Sequence, residues 1–346
     1  MSEAFFRNLY SKCKMHGTGE AQVSITDGEL NALIYIAIND LGWSHHDFGI
    51  TRVTTPKDDY YKIPMAWFDE QSAVNILPQS IIQSLKACFE HNKDFSLYIE
   101  NLTALHRRRV KYRRILSSQP MPNMDQIGPR ALLEYGECNR ELLANWMVWR
   151  KWIYDIDNRS AQETGYLFEP LLASCLGGEP VGAKNSPVKR LDSNGRPTSQ
   201  GRQIDCLVSS NKRTYELKLR VTIAASGQGR FGEELSFAVE SSAAGYTPVL
   251  LVLDPTPSPR LEELSKKYLE CGGKFYHGEA AWRHMEKEAG NVVSVFIEKY
   301  IKPAIKGIED VEIGYPNSIN LSWTKQEVEI SDGSASYKIK RIINDN

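Results

Sequence analysis

The sequence predicts an α/β fold: a layered core whose sheet is covered on both faces, preceded by a mainly helical N-terminal region. Up to about residue 154 apolar residues recur at helical spacing, and from Ser160 short apolar runs alternate with amphipathic helices. The third observation is Val249-Leu-Leu-Val-Leu253, apolar at every position, which needs cover on both sides and so belongs inside a sheet.

Taken in order, Thr26 can cap a helix carrying Leu30, Leu33, Ile34, Ala37, Ile38 and Leu41. A second helix follows Asp94 and carries Leu97, Leu102, Leu105, Tyr112 and Leu116, ending at the turn-rich stretch from Ser117 to Asn123. Residues 139–154 form a helix with Trp146, Trp149 and Trp152, whose composition suits packing better than base stacking. Another helix spans 161–175 and is closed by Gly177-Gly178, and a basic loop covers 184–202. Strands at 203–209 and 214–222 are separated by four residues, short enough to force an antiparallel hairpin. Helix 232–242, strand 248–253, helix 259–271 and strand 274–277 succeed them, then helices near 279–288 and 292–305. The tail after Gly307 has strand character around Val311, 319–323, 327–330 and 337–342. The expected organisation is therefore a helical region 1–154 for target recognition or dimer formation, a core at 155–306, and a tail at 307–346.

With 41% hydrophobic and 25% charged residues, the chain is neither a disordered nor a collagenous one. Lys plus Arg number 42 against 43 Asp plus Glu, so overall charge argues for no partner and any electrostatic partner must be read locally. The six cysteines are too far apart for a zinc knuckle or a disulfide framework, and no run approaches a membrane span. We expect a soluble cytoplasmic protein with reduced thiols and no membrane partner.

The chemistry concentrates in Gln203-Ile-Asp205-Cys-Leu-Val-Ser-Ser-Asn-Lys-Arg-Thr-Tyr-Glu216-Leu-Lys218, where carboxylates interrupt what would otherwise be core strands. Side chains alternate along a strand, so Glu216 and Lys218 share one face while Tyr215, Leu217 and Leu219 take the other. Pairing Ser209 with Lys212 or Arg213 places Asp205 opposite Glu216 or Leu217. Two carboxylates that close repel unless something positive lies between them. An all-oxygen set completed by substrate phosphate and water suits Mg²⁺, and the Lys218 ammonium is placed to orient an attacking water and help deprotonate it. No other lysine of the chain has an acid two residues before it. A surface hairpin with exposed ion pairs would show the same three residues, but the flanking Ile204, Leu207, Val208, Leu217 and Leu219 demand burial.

These residues resemble the PD-(D/E)xK nuclease superfamily and, within it, the type II restriction endonucleases. Asp205 matches the leading acid, with Ile204 in place of the common proline, and Glu216 and Lys218 match the second acid and the lysine. The resemblance covers roughly residues 155–277 and implies an α/β/α sandwich with a mixed central sheet, a restriction-endonuclease-like core. It also implies a further carboxylate from the helix before the hairpin, for which Glu169 fits, with Glu163 as the alternative, and polar residues such as Glu233 or Glu234 from the helix after it.

A phosphodiester substrate needs cations. Residues 107–114 carry six with no acid among them, including Arg107, Arg108, Lys111 and Arg114, and the 184–202 loop carries Lys184, Lys189, Arg190, Arg196 and Arg202 against Asp192 alone. The resemblance thus implies a Mg²⁺-dependent site-specific endonuclease of double-stranded DNA, acting as a homodimer on a palindromic sequence. The alternatives are a structure-specific repair or recombination nuclease, and a DNA-binding protein that keeps the fold without cleavage. His45-His46-Asp47 reads as a polar loop, because adjacent side chains diverge and no further ligand is spaced to join them.

Overall fold

The computed structural model describes residues 1–15, 23–51, 53, 59–219, 228–309 and 318–342, with the side chains of 163–166, 228–230 and 307–309 outside that description. Local signals start several helices where the sequence places them. Thr26 caps α2 (Asp27–Asp40) after α1 (Glu3–Lys14): the Glu29 amide donates to Thr26 Oγ1 at 3.2 Å while the Thr26 amide donates to Glu29 Oε2 at 2.8 Å. α2 is buried nearly all round rather than along one stripe, as the central helix of a layer must be. Around it stand α3 (Met65–Ser72), α4 (Pro78–His91) and α5 (Phe95–Ser118), followed by the short α6 (Met124–Ile127). His45 and His46 lie in a 3₁₀ turn, with His45 stacked on Tyr35 at 4.2 Å.

The two helices expected at 139–154 and 161–175 are one, α7 (Arg140–Cys175), 36 residues long with Pro170 inside it. Asn139 accepts the Leu142 amide at 2.8 Å to start it. Gly177, at φ +72°, turns the chain at its end so that the Gly178 amide reaches the Ala173 carbonyl at 2.9 Å. The boundary expected at 154/155 therefore falls inside a continuous helix. One apolar core also joins Leu33, Tyr98 and Leu102 of the N-terminal helices to Tyr215, Val249 and Phe296 of the following layer.

After β1 (Glu179–Val181), the 184–202 segment corrects the expected loop: Lys189–Leu191 (β2) and Pro197–Gly201 (β3) pair as an antiparallel hairpin. Next come β4 (Ile204–Val208), β5 (Arg213–Lys218), α8 (Gln228–Ala243), β6 (Thr247–Val252), α9 (Pro259–Glu270) and β7 (Lys274–His277). The five-stranded sheet runs β1-β4-β5-β6-β7. β4 pairs antiparallel with β1 and β5, while β5, β6 and β7 run parallel, so the sheet is mixed. Val249 and Leu251 face α7 and α10 (Glu279–Phe296), whereas Leu250 and Val252 face α8 and α9. Helices thus cover both faces, as the apolar run required.

The two last helices expected near 279–305 are nearly continuous. Gly290, at φ +72°, breaks α10 in the middle, a π turn spans 297–301, and α11 (Lys302–Glu309) follows. Tyr300 in that π turn and Tyr98 of α5 both donate to Asp40 Oδ2, tying the end of α2 to the far end of the chain. The tail forms a separate meander of β8 (Asn320–Trp323), β9 (Glu327–Ser331) and β10 (Ser336–Lys340). Val328 and Ile339 from it cover Leu116, Trp152 and Ile156 of α5 and α7. Val311 and residues 220–222 of the expected second hairpin strand lie outside the described residues. No described helix is long and apolar enough to cross a membrane, and all six cysteines are free thiols.

Candidate active site

The turn between β4 and β5 decides the site. Ser209–Asn211 form a 3₁₀ turn and Lys212 takes the left-handed conformation at φ +52°, giving the register Val208↔Arg213, Leu207↔Thr214 and Cys206↔Tyr215. One step further on, Asp205 stands opposite Glu216, the first of the two expected registers, and both face the α8 side. Asp205 Oδ2 accepts the Leu217 amide at 3.0 Å, which fixes the carboxyl across the strand pair. On β5 Tyr215 and Leu217 are buried in the core beneath while Glu216 and Lys218 point the other way.

Lys218 Nζ lies 2.9 Å from Glu216 Oε1 and 2.9 Å from Glu234 Oε1 on α8. Burial opposes its charge, but the two carboxylates outweigh burial and its pKa is raised, so it is an ammonium at neutral pH. It is therefore the ammonium that the sequence reading expects, able to orient and attract a water. Burial also lifts the Asp205 carboxyl well above the usual range; Glu216 and Glu169 add to that, and the Leu217 amide and Lys218 partly offset it. The Glu169 carboxyl is raised in the same way, first by burial and then by Glu216, with Lys218 opposing. α7 thus carries Glu169 near enough for its charge to act on the hairpin carboxylates, while Asp205, Glu216 and Lys218 meet on β4 and β5 themselves. The Glu163 side chain lies outside the described residues. Of the pair on α8, Glu234 bonds Lys218 and Glu233 bonds Arg190 at 3.1 Å.

Among the described residues no three His, Cys, Asp or Glu side chains form a ready-made cation cage. The donor set nonetheless fits a hard divalent ion that keeps several waters and takes only one or two carboxylates. Glu216 raises the pKa of both Asp205 and Glu169, and Glu234 Oε2 is buried with no hydrogen-bond partner among the described residues, so negative charge here exceeds what Lys218 balances. Tyr268 of α9 is a member of this site that the sequence reading missed. Its hydroxyl is fully buried, has no hydrogen-bond partner among the described residues, and is held protonated by burial and then by Glu216, Asp205 and Glu234. In the sequence it is only one more apolar position of an amphipathic helix.

The basic segments divide. Arg107 donates to the Lys12 and Cys13 carbonyls at 2.9 and 2.6 Å, closing the end of α1. Lys111 is buried, and so is Arg202, which lies 3.6 Å from Glu240 and donates to the Glu233 carbonyl. Lys111 and Arg202 are thus packed inside the fold and do not face a duplex, whereas Arg107 is half-buried at the end of α1. Arg109 likewise stacks on Tyr60 at 4.6 Å, and Arg113 makes two bonds of 2.9 Å to Asp69. Arg108 is half-buried and Arg114 exposed on α5. The β2–β3 hairpin sits on α8 beside the site, through Leu191 to Glu240 and Arg190 to Glu233, with Lys189 half-buried and Arg196 exposed at its turn.

A mixed sheet that sets two carboxylates and an ammonium on one face, beside a hairpin of cations, is the layout of an enzyme for phosphodiesters, and comparison with known proteins gives the class. Residues 49–302 match the model of the ApaLI-like restriction endonucleases, and the chain belongs to that family of site-specific type II endonucleases. It is 48% identical over 262 residues to the type II restriction enzyme ApaLI of Acetobacter pasteurianus, covering 75% of this chain and 68% of that protein. No solved structure matches. The matched region takes in most of the helical segment, so the family unit does not begin at the expected core.

Proposed function

We propose that this restriction endonuclease uses a restriction-endonuclease-like PD-(D/E)xK site in which Asp205, Glu216 and Glu169 hold Mg²⁺ and Lys218 positions the attacking water. The observation that carries the reading is the convergence of Asp205, Glu216 and Lys218 on one face of β4 and β5, fixed by the Leu217 amide and the 2.9 Å ammonium contact. Bound there, Mg²⁺ would supply positive charge at the attacked phosphate and the leaving 3′ oxygen. Lys218, still charged at neutral pH, draws a water and the non-bridging phosphate oxygens toward itself. Glu234 holds the ammonium from the opposite side, so that it does not collapse onto Glu216 alone. The substrate is double-stranded DNA at a palindromic sequence, cut by a cytoplasmic homodimer that gives each strand one site. Arg190, Lys189 and Arg196 of the hairpin and Arg108 and Arg114 of α5 are placed to contact the duplex.

Incubating the protein with plasmid DNA and Mg²⁺ tests this. Discrete fragments are expected from the wild type, and a smear or preferential cutting of branched DNA would instead favour a structure-specific nuclease. Lys218→Ala and Glu216→Gln should lower the cleavage rate by about 10²–10⁴-fold while duplex binding stays within a few-fold, the range that follows when a positioning or proton-transfer group is removed. Cutting at wild-type rates by either variant would remove these residues from the mechanism.

A further inference from the structure

The face of α7 beside the stripe that the tail sheet covers carries Leu142, Trp146 and Ile153, spaced four and seven residues apart, the recurrence of a helix–helix seam. The 3₁₀ turn Gly128–Leu133 adds Leu132 and Leu133 and the turn that follows it adds Tyr135, and all six are between 47% and 91% exposed. The two groups form one surface. Glu134 accepts from Trp146 Nε1 at 3.1 Å and pairs with Arg150 at 2.5 Å, which seats the turn against the helix. Where the neighbouring stripe of α7 has an intramolecular cover, Val328 and Ile339 bury Trp152 and Ile156 under the tail.

We propose that this face is where two copies of the chain associate, with the two α7 helices side by side and parallel. The inference rests on the reading above, in which each strand is cut by one protomer. Taking roughly 150–200 Å² for a large side chain, the six residues expose on the order of 600–800 Å² of mostly apolar surface. That approaches the ~800 Å² each partner gives to a stable interface, and isolated apolar side chains on a monomer do not reach it. Beside the protruding Leu132 and Leu133 lies a groove of about 330 Å³ lined by Ile127, Tyr135 and Met147. Glu134 and Arg150 at the edge of the face pair with each other.

Distance decides the orientation. Glu169 is 23 residues beyond Trp146 on the same helix, or about 35 Å at 1.5 Å per residue. Antiparallel α7 helices would separate the two active sites by roughly 65 Å along the bundle, whereas one helical turn of duplex, the usual spacing of two-fold-related half-sites, measures about 34–36 Å. Parallel helices bring both Glu169 ends to one side of the dimer, where a single duplex can reach them.

Sedimentation of the full-length protein and disulfide trapping test the surface and the orientation separately. Trp146→Glu and Leu133→Glu should each raise the dimer dissociation constant at least 10-fold with unchanged circular dichroism. They should also turn concerted double-strand cutting into slow nicking. Leu142→Cys should form a disulfide dimer under oxidation that the wild type, with Cys138 and Cys271 only partly exposed, does not. If both charge variants remain as dimeric as the wild type, the surface is wrong while the dimer reading stands. If Leu142→Cys stays uncrosslinked but a Leu142→Cys/Ile153→Cys double variant crosslinks, the helices are antiparallel and the proposal fails. A wild type that sediments as a monomer while cutting both strands would overturn the homodimer reading itself.

Discussion

Asp205 shows how far the site departs from what stability alone would select. Its carboxyl is shut in beside Glu216 and Glu169, so its folded pKa lies above the unfolded value and the folded state favours the protonated form. The sign follows from that: the repulsion is absent below the unfolded carboxylate range, where Asp205 is protonated in both states, and it grows as pH rises toward the folded pKa. Asp205→Asn should therefore abolish cleavage yet raise the apparent melting temperature at pH 7–8 by about 1–3 °C, with the gain shrinking toward pH 4. A thermal melt that falls at neutral pH would mean that the carboxylate stabilises the fold. Titrating Mg²⁺ should raise the melting temperature of the wild type and leave Asp205→Asn nearly unmoved, because ligand that binds only the folded state stabilises it by mass action. At the same scale, Glu216 and Lys218 were legible from alternation along a strand, whereas Tyr268 was not, since nothing in an amphipathic helix says which apolar position will end beneath carboxylates.

Among the elements, α7 links the N-terminal helices, the sheet and the site: its start carries the exposed apolar face, it packs on α5, and its end packs on β4 and carries Glu169. The junction depends on Gly178, where an added Cβ would fall 2.6 Å from Cys206 Sγ and 2.7 Å from the Leu207 carbonyl. Gly178→Ala should cost about 1–3 kcal/mol in chemical denaturation, the usual penalty of overpacking. It should also reduce cleavage, because relief of the clash moves β4 and Asp205 with it. An unchanged denaturation midpoint would show that the junction yields without strain. The hairpin register was readable to within one residue from the four-residue connection, and the left-handed Lys212 selects between the two choices. The joining of two expected helices into one was not readable, because the polar run Asp155 to Ser160, with Asp157, Asn158 and Ser160, looks like a connection whose weak helix propensity neighbouring elements can offset.

Over the whole molecule, net charge is close to zero, so duplex binding must come from local cations near the site. Arg196→Ala and Lys189→Ala should each reduce the slope of log K against log salt by about 1, while Arg202→Ala, which removes a buried pair, should destabilise the protein without that signature. Equal slopes in the hairpin variants would place the duplex elsewhere. The fused core explains why the expected boundary at 154/155 does not separate two packing units: Asp40, Tyr98 and Tyr300 bond across 260 residues of chain.

Read alone, the sequence was enough for the α/β class, the covered central strand, and the acid, acid and lysine of the hairpin, because alternation and helical periodicity are local properties of strands and helices. It was also enough to point to a nuclease of the restriction type. Tertiary structure decided which cations remain outside the fold, which of Glu233 and Glu234 holds Lys218, and that Tyr268 belongs to the site. Those choices depend on how helices pack over a sheet, and contacts between residues distant in the chain leave no periodic mark along it.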